Sequence, residues 1–400
     1  DLLEIPLIMR INQTYESLRE NISSVMEYDY YGGLLGGALF AFVLLPFLGL
    51  TYTPVLIGSL NLLVASLVLW HFSNHLVRPR ILNIQFTALL IISVLAFSVA
   101  KPIVLYGEQH KYKDKIIYQE QTRYQKIVVT QWKDNFWLFI NGSTQFSTYD
   151  EERYHEPLVH PVMSLLKEHK DILLLGAGDG LAAREILKYS DVESLTLVDL
   201  DPAMTRLARQ HKMFLEINQG SLNDTRVRVI NKDAYQFMKE SPDLYDAIII
   251  DLPDPKSVSL SLLYSLGFYK MVEKHLKPFG AMVTQSTSPL YSPEAFLCIK
   301  KTMQAANFST LPYQNSVPSM GQWGWILGTR KKTMPANRLK QEIIAQKSSD
   351  IETRFFNQNA MISMANFGKG LFEKEDKIKP NTQFNHNILK YYRQGSWDLY

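Results

Sequence analysis

The sequence of 400 residues holds a single cysteine, Cys298. One thiol excludes an internal disulfide and any zinc site built on several thiolates, so a buried structural thiol is the expected role. Net charge is nearly absent as well. Lys+Arg at 42 against Asp+Glu at 39 leaves +3, with no Lys/Arg stripe interleaved with aromatics, so nucleic acid is not an expected partner. Internal repeats and low-complexity stretches are missing. So is a secretion signal: Asp1 leads straight into "LLEIPLIMR" with no basic region and no initiator Met, an opening that fits a fragment of a longer membrane protein.

What the chain has in excess is uncharged length near its start. The overall hydrophobic share of 46% is ordinary for a soluble protein, but the average hides a membrane part. Residues 29–50, 54–72 and 81–100 are each about 20 residues long and almost free of internal charge, enough to cross a hydrocarbon core. Three spans are therefore expected within a segment 1–102. Their orientation is not legible. Arg10, Arg19, Arg78 and Arg80 fall on one side and Lys101, Lys111, Lys113 and Lys115 on the other, so the positive-inside rule is almost balanced.

Beyond Lys101 the composition becomes that of a soluble protein. Alternating stretches such as "YQKIVVTQW" and "FWLFING", with Asn141-Gly142 as a turn, predict a small antiparallel sheet over 103–150. Residues 151–168 read as a helix. Apolar runs "DILLL", "SLTLVD", "RVRVI", "DAIIID" and "AMVTQS" then alternate with helical segments of about 15 to 25 residues. That alternation predicts an α/β fold, a Rossmann-like doubly wound sheet, over 151–330. Residues 318–329, "PSMGQWGWILGT", read as a late strand pair, and 331–400 as a helical extension with an aromatic end.

In a doubly wound sheet, ligands sit beyond the carboxyl ends of the strands. The first such end carries Gly176, Gly178, Asp179 and Gly180, small residues that let backbone approach a ligand. About 20 residues later comes Asp199, where a carboxylate can accept from a ribose diol. Asp233 follows the third strand, and Asp251 and Asp254 follow the fourth. A Gly-rich turn with a ribose acid is shared by dinucleotide and adenosyl-sulfonium enzymes. Here the turn is GxGxG with an acid inside it, and a carboxylate there repels a pyrophosphate but attracts a cation.

These residues resemble the spermidine synthases, or polyamine aminopropyltransferases, specifically their membrane-attached bacterial branch. The resemblance rests on "RYQKIVV", "NGSTQFSTYDEERYHEPLVHP", "LLLGAGDGLAAREILK", "LTLVDLDP", "DAIIIDLPDP", "LYSLGFY", "MVTQSTSP" and "VPSMGQWGW", in the family's order. "EIPL" and "YDYYGGLLGG" are similar to the end of that branch's multi-span domain. It implies a small β domain before a methyltransferase-like Rossmann domain, and transfer of an aminopropyl group from decarboxylated S-adenosylmethionine to a polyamine such as putrescine, releasing methylthioadenosine. No metal or further cofactor is implied, and family members usually form homo-oligomers.

By motif position the resemblance implies a role for each residue. Asp179 would pair with the donor's aminopropyl ammonium, Asp199 with the ribose hydroxyls and Asp233 with the adenine amine. Asp251 would be the catalytic acid and Asp254 would help hold the acceptor. Gln125, Gln145, Tyr154, His155 and Gln285 would line the two substrates. Asp251-Leu-Pro-Asp254-Pro replaces the soluble enzymes' Asp-Ser-Ser-Asp-Pro, and Asp199 replaces a glutamate. Val317 stands where soluble members place an acceptor-contacting tyrosine, which leaves the acceptor open, while "GQWGW" offers an aromatic wall.

Two other readings stay in play. A methyltransferase on the same fold would bind intact S-adenosylmethionine and would have no need of Asp179 or of the Asp251–Asp254 pair. A membrane polyamine sensor or transporter would bind without turnover, but should carry acidic or aromatic residues inside its spans. Because the donor is made in the cytosol, the expected location is a bacterial inner membrane, multi-pass, with the catalytic domain on the cytoplasmic face.

Overall fold

The computed structural model describes residues 4–12, 18–71, 79–345 and 351–397; Phe72 and Arg78 of the expected spans and their separators lie outside these. Contacts divide the chain into two compact units, Asp1–Asp114 and Lys115–Tyr400.

The first unit is helical. The stretches Ile22–Gly49, Tyr52–His71 and Arg80–Val99 are long and apolar enough to cross a membrane. Large apolar side chains on them face outward, among them Phe47 at 81% and Trp70 at 78% exposure, the inverse of a water-soluble helix pair. The helix Leu45–His71 is kinked at Gly49, whose φ is 63°. Thr53 Oγ1 lies beside the kink, donating to the Gly49 carbonyl at 2.6 Å and reaching the Leu44 carbonyl at 3.2 Å. The last helix, Pro79–Gln109, continues past Lys101 and Pro102.

The second unit begins with an antiparallel sheet ordered β1 (Lys115–Gln121), β2 (Lys126–Trp132), β3 (Asn135–Ile140) and β4 (Ser143–Ser147). Asn141 and Gly142, both at positive φ, close the β3–β4 hairpin, the conformation an Asn-Gly pair supplies. The helix Glu152–Ser164 follows, shorter than the sequence pattern indicated.

The larger sheet contains β5 (Asp171–Gly176), β6 (Ser194–Asp199), β7 (Val227–Asn231), β8 (Tyr245–Asp251), β9 (Leu276–Gln285), β10 (Phe308–Val317) and β11 (Gly321–Arg330). Their spatial order is β10-β11-β9-β8-β5-β6-β7. The five strands β5 to β9 run parallel, while β11 pairs antiparallel with both β9 and β10. One expectation is corrected here. Residues 318–329 are not a strand pair: Pro318–Met320 is the turn, and the first strand of that hairpin lies before it. The hairpin reads poorly because "FSTLPYQNSV" mixes polar residues and a proline into a strand that closes the sheet's edge, where alternation is weak and proline is tolerated.

Side-chain alternation divides the core. Ile172 and Leu174 of β5 and Ala247 and Ile249 of β8 join the cluster under helices Glu152–Ser164 and Leu181–Ile186. Their neighbours Leu173, Leu175, Ile248 and Ile250 join the opposite cluster, under helices Leu266–His275 and Pro293–Ala305. With both faces covered, these strands must be apolar at every position, which is why they read as unbroken runs. Each such Leu or Ile contributes about 1.5–3 kcal/mol by leaving water. Cys298 is fully buried in the second cluster, and burial pushes its thiol up to about 12, so it is an inert packing residue.

The order of strand addition switches sides between β5 and β8, because β6 and β7 are laid to one side of β5 and β8 and β9 to the other. Gly176, the last residue of β5, is paired in register with Asp251, the last of β8. Gly176 has φ 84°, and a Cβ placed on it would collide with the Asp251 carbonyl. Gly176→Ala should therefore destabilise the fold by about 2 kcal/mol or more, from left-handed backbone strain plus the clash. A fall in melting temperature of roughly 4 °C or more for the full chain in detergent is expected, and an unchanged melt would refute the close packing.

Candidate active site

The turn after β5 is built by backbone contacts that only small residues permit. A Cβ on Gly178 would lie 2.5 Å from Asp199 Oδ2, and one on Gly180, at φ 85°, would lie 2.8 Å from Ser221 Oγ. Asn218 Nδ2 donates to the Asp179 carbonyl at 2.9 Å, and Ser221 Oγ to that of Gly180 at 2.7 Å. The loop is thus clamped from behind, and its free face points to the switch between β5 and β8.

Around that point the structure assembles carboxylates. Asp179, buried, accepts the Leu181 N–H through Oδ1 at 2.8 Å and so begins the helix Leu181–Ile186. Asp199, half-buried at the end of β6, accepts Asp201 N–H through Oδ1 at 2.8 Å and Gly178 N–H through Oδ2 at 3.1 Å. Asp251, half-buried, accepts the Tyr154 hydroxyl at 2.6 Å. Asp254 accepts Gln285 Nε2 through Oδ1 at 3.4 Å and the Tyr392 hydroxyl through Oδ2 at 2.9 Å. Asp233 caps the helix Ala234–Glu240 by accepting Gln236 N–H at 2.9 Å, which leaves its second oxygen outside the cap.

Burial raises the pKa of these carboxyls, and for Asp251 and Asp199 neighbouring carboxylates add to it. Burial, then the charges of Asp179 and Asp254, push Asp251 up to about 6 against the pull of Tyr154 and His155. Burial, with Asp179 and Asp201 adding to it, pushes Asp199 up to about 6 against two backbone N–H bonds. Asp179 is raised chiefly by burial, opposed by His155. Asp254 is raised chiefly by burial, opposed by Lys256 and its hydrogen bonds to Tyr392 and Gln285. Partly buried acids at neighbouring strand ends, with raised pKa values, mark a candidate functional site.

Behind them lies a network that the sequence did not disclose. His155 Nδ1 meets the Glu151 carbonyl at 2.9 Å and Glu151 Oε2 at 3.0 Å. Arg184 Nη2 donates to both Glu151 oxygens at 2.9 Å, and Arg354 also pairs with Glu151. Burial alone would raise Glu151, but His155, Arg184 and Arg354 hold it down at about 2. Burial alone would lower His155, yet Glu151, Asp179 and Asp251 raise it. An anchored, cation-leaning imidazole therefore backs the acids. The i, i+4 spacing of Glu151 and His155 was the one local signal for this pair; the partnership of Arg184 and Arg354 left none.

The remaining expected site residues divide. Tyr154 and Gln285 touch the acids. Gln285 Nε2 also donates to the Leu252 carbonyl and approaches the Tyr264 hydroxyl, both at 2.6 Å, and its Oε1 accepts Trp323 Nε1 at 3.3 Å. Gln145 folds back onto the Ser143 and Thr144 carbonyls at 3.1 and 3.3 Å, and Gln125 contributes its backbone to the β1–β2 turn. Neither is bonded to the acids among the described residues. Both tryptophans of "GQWGW" are buried beside Tyr154: Trp323 lies 6.5 Å from its ring and donates to Gln285, and Trp325 lies 5.3 Å from it and stacks on Tyr313 at 5.7 Å. Val317 is buried in the cluster that holds Tyr154 and Trp323. Also unforeseen was Asp150, buried, which accepts Ser319 N–H at 2.6 Å and Ser319 Oγ at 2.7 Å, tying the start of the Tyr154 helix to the β10–β11 turn.

Known proteins decide the kinship. The family description Spermine/spermidine synthase domain matches residues 151–341. A polyamine aminopropyltransferase of Oceanobacillus iheyensis is 38% identical over 408 aligned positions, covering 100% of this chain and 76% of that protein. The chain belongs to the spermine/spermidine synthase family. Polyamine aminopropyltransferase 2 of Aquifex aeolicus is 39% identical, covering 98% of this chain and 76% of its own length. The crystal structure of spermidine synthase from Thermotoga maritima superposes with TM-score 0.57 at 24% identity, covering 66% of this chain and 88% of that one. That likeness confirms the expected Rossmann-like fold with its preceding small sheet.

The crowding of acids has a measurable cost. A carboxyl whose folded pKa lies above its unfolded value disfavours the fold once pH rises through the window from about 4 to the folded value near 6. Asp251→Asn should therefore melt about 2–5 °C higher than the unsubstituted chain at pH 8. The difference should vanish near pH 3.5, where both forms are neutral, and a lower melt at pH 8 would contradict the assignment.

Proposed function

We propose that the protein transfers the aminopropyl group of decarboxylated S-adenosylmethionine to a polyamine, with putrescine the acceptor, giving spermidine and methylthioadenosine. The observation that carries this reading is Asp179 beside Asp251 at the switch point, two carboxylates that a cationic donor and a cationic acceptor would relieve. Decarboxylated donor brings a sulfonium and an ammonium. Intact S-adenosylmethionine brings its own carboxylate, and like charges at ~4 Å cost about 4 kcal/mol at an effective dielectric of about 20. The same penalty weighs against a methyltransferase.

In this reading Asp199 accepts from the ribose hydroxyls, Asp233 from the adenine amine, and Gly176, Gly178 and Gly180 let the nucleoside lie against backbone. Asp179 holds the aminopropyl ammonium. The acceptor's reacting amine, protonated at neutral pH with a pKa of about 10, cannot attack until it loses a proton. Asp251 takes that proton and so frees the nitrogen lone pair, which then forms the new C–N bond as the C–S bond electrons return to sulfur. The sulfonium becomes the neutral thioether of methylthioadenosine. Tyr154 donates to Asp251 and keeps one oxygen oriented, so the other faces the amine. Asp254 and Gln285 hold the acceptor's far end, His155 backs the acids, and Gln125 and Gln145 close the side formed by the small sheet.

The reading also places the protein in a bacterial inner membrane through its three apolar stretches, with the catalytic unit on the cytoplasmic face where the donor is made, and assembled as a homo-oligomer. Protease treatment of sealed inverted vesicles should cut the catalytic unit, and protection there would reverse the orientation.

Purified protein is incubated with putrescine and either donor, and products are followed by mass spectrometry. Methylthioadenosine and spermidine are expected from decarboxylated donor alone; adenosylhomocysteine from intact donor would mean a methyltransferase. Asp251→Asn should lower kcat by about 10²–10⁴-fold. The base works only when ionised, so kcat/KM should climb with pH through an apparent value of about 6 that belongs to the coupled carboxylates. Asp179→Asn should narrow the preference for decarboxylated over intact donor, measured as competing inhibition constants.

A further inference from the structure

The segment that follows the catalytic fold does not hang free of it. Asn381 donates through Nδ2 to the Ser261 carbonyl at 2.7 Å and to that of Tyr264 at 3.2 Å, and its N–H reaches Thr302 Oγ1 at 2.9 Å. Ile388 and Tyr392, on the helix Asn387–Arg393, are buried in the core cluster that also holds Leu252 and Tyr264. Trp397 lies 4.5 Å from the Tyr392 ring and donates through Nε1 to the Tyr392 carbonyl at 2.8 Å. These contacts fix the ring, and its hydroxyl meets Asp254 Oδ2 at 2.9 Å.

We infer that Tyr392 is a positioning residue of the acceptor site, and that this C-terminal segment is part of the enzyme's recognition of its amine. The inference rests on the aminopropyl-transfer reading, which puts the acceptor's distal ammonium on Asp254. A carboxylate offers about four lone-pair positions. Tyr392 takes one on Oδ2 at 2.9 Å, whereas Gln285 Nε2, whose two hydrogens are drawn to the Leu252 carbonyl and the Tyr264 hydroxyl at 2.6 Å, stands 3.4 Å from Oδ1. The Tyr392 hydroxyl therefore supplies the short hydrogen bond that orients the carboxylate and directs its remaining lone pairs. The hydroxyl also favours the ionised form of Asp254 against its burial, which an ammonium partner requires.

The experiment is a double-mutant cycle in the full chain, using Tyr392→Phe, Asp254→Asn and both together, with putrescine and decarboxylated donor. Phenylalanine keeps the ring and its packing on Trp397, and the melting transition checks the fold. Tyr392→Phe should raise KM for putrescine about tenfold, the scale of losing one hydrogen bond to a charged group, while KM for the donor stays within about twofold. In the Asp254→Asn background the same change should add nothing. As a second readout, putrescine binding by calorimetry in the Asp251→Asn background should weaken by a similar factor. An unchanged acceptor KM, a parallel rise in donor KM, or additive effects would each overturn the inference. Absence of turnover in the unsubstituted chain with putrescine and other diamines would remove the aminopropyl reading and this inference with it. Turnover with a silent Tyr392→Phe would remove only the latter.

Discussion

The site depends on mutual repulsion between carboxylates that the strands cannot let go. Gly176 and Asp251 end neighbouring parallel strands in register, so the Gly-rich turn carrying Asp179 and the loop carrying Asp254 leave the sheet at one place. Each acid is tied by its own hydrogen bonds, to Leu181, Gly178 and Asp201, Tyr154, or Tyr392 and Gln285. The result is a concentration of partly buried carboxylates, between which Coulomb energies exceed those in water. A ligand bearing separated positive charges relieves it, and a ligand bearing a carboxylate adds to it.

Holding such a cluster requires a rigid frame on all sides. The helix Glu152–Ser164 supplies Tyr154 to the acids and His155 to the space behind them. Its start is fastened by Glu151, locked between Arg184 and Arg354, and by Asp150, locked to Ser319. A buried ion network of this kind contributes little net stability, since desolvation consumes most of the attraction. Its value lies in direction: Glu151 stays ionised, His155 leans to its cation, and Tyr154 is pinned with its hydroxyl on Asp251. The stability is supplied elsewhere, by the alternating apolar side chains that fill both faces of the large sheet.

The first unit follows other rules. Its apolar side chains face outward, and the hydroxyl of Thr53 bonds to the Leu44 and Gly49 carbonyls at the kink. The same chain thus solves the hydrogen-bond problem twice: within single helices in one unit, and between paired strands in the other.

Much of this was legible in the sequence because it is local or periodic. Unbroken apolar runs between helical patterns mark a parallel sheet with two covered faces, and the motif order marks the family. The positions of Gly176, Asp179, Asp199 and Asp251 follow, since the ends of such strands are where ligands are met. Cys298 was readable as inert from its solitude. What the sequence could not convey was partnership across distance. Tyr392 bonds to Asp254 from 138 positions away, and Arg354 reaches Glu151 from 203; no periodicity records which remote side chain will face a given acid. The β10–β11 hairpin was misplaced for a related reason, because an edge pair is held by its neighbours rather than by its own alternation. The partners of the tryptophans in "GQWGW" were likewise tertiary: both rings lie against Tyr154, and Trp323 also donates to Gln285 while Trp325 stacks on Tyr313. Chain order determined which chemistry was available, and the register of the strands with the return path of the C-terminal segment decided which groups share it.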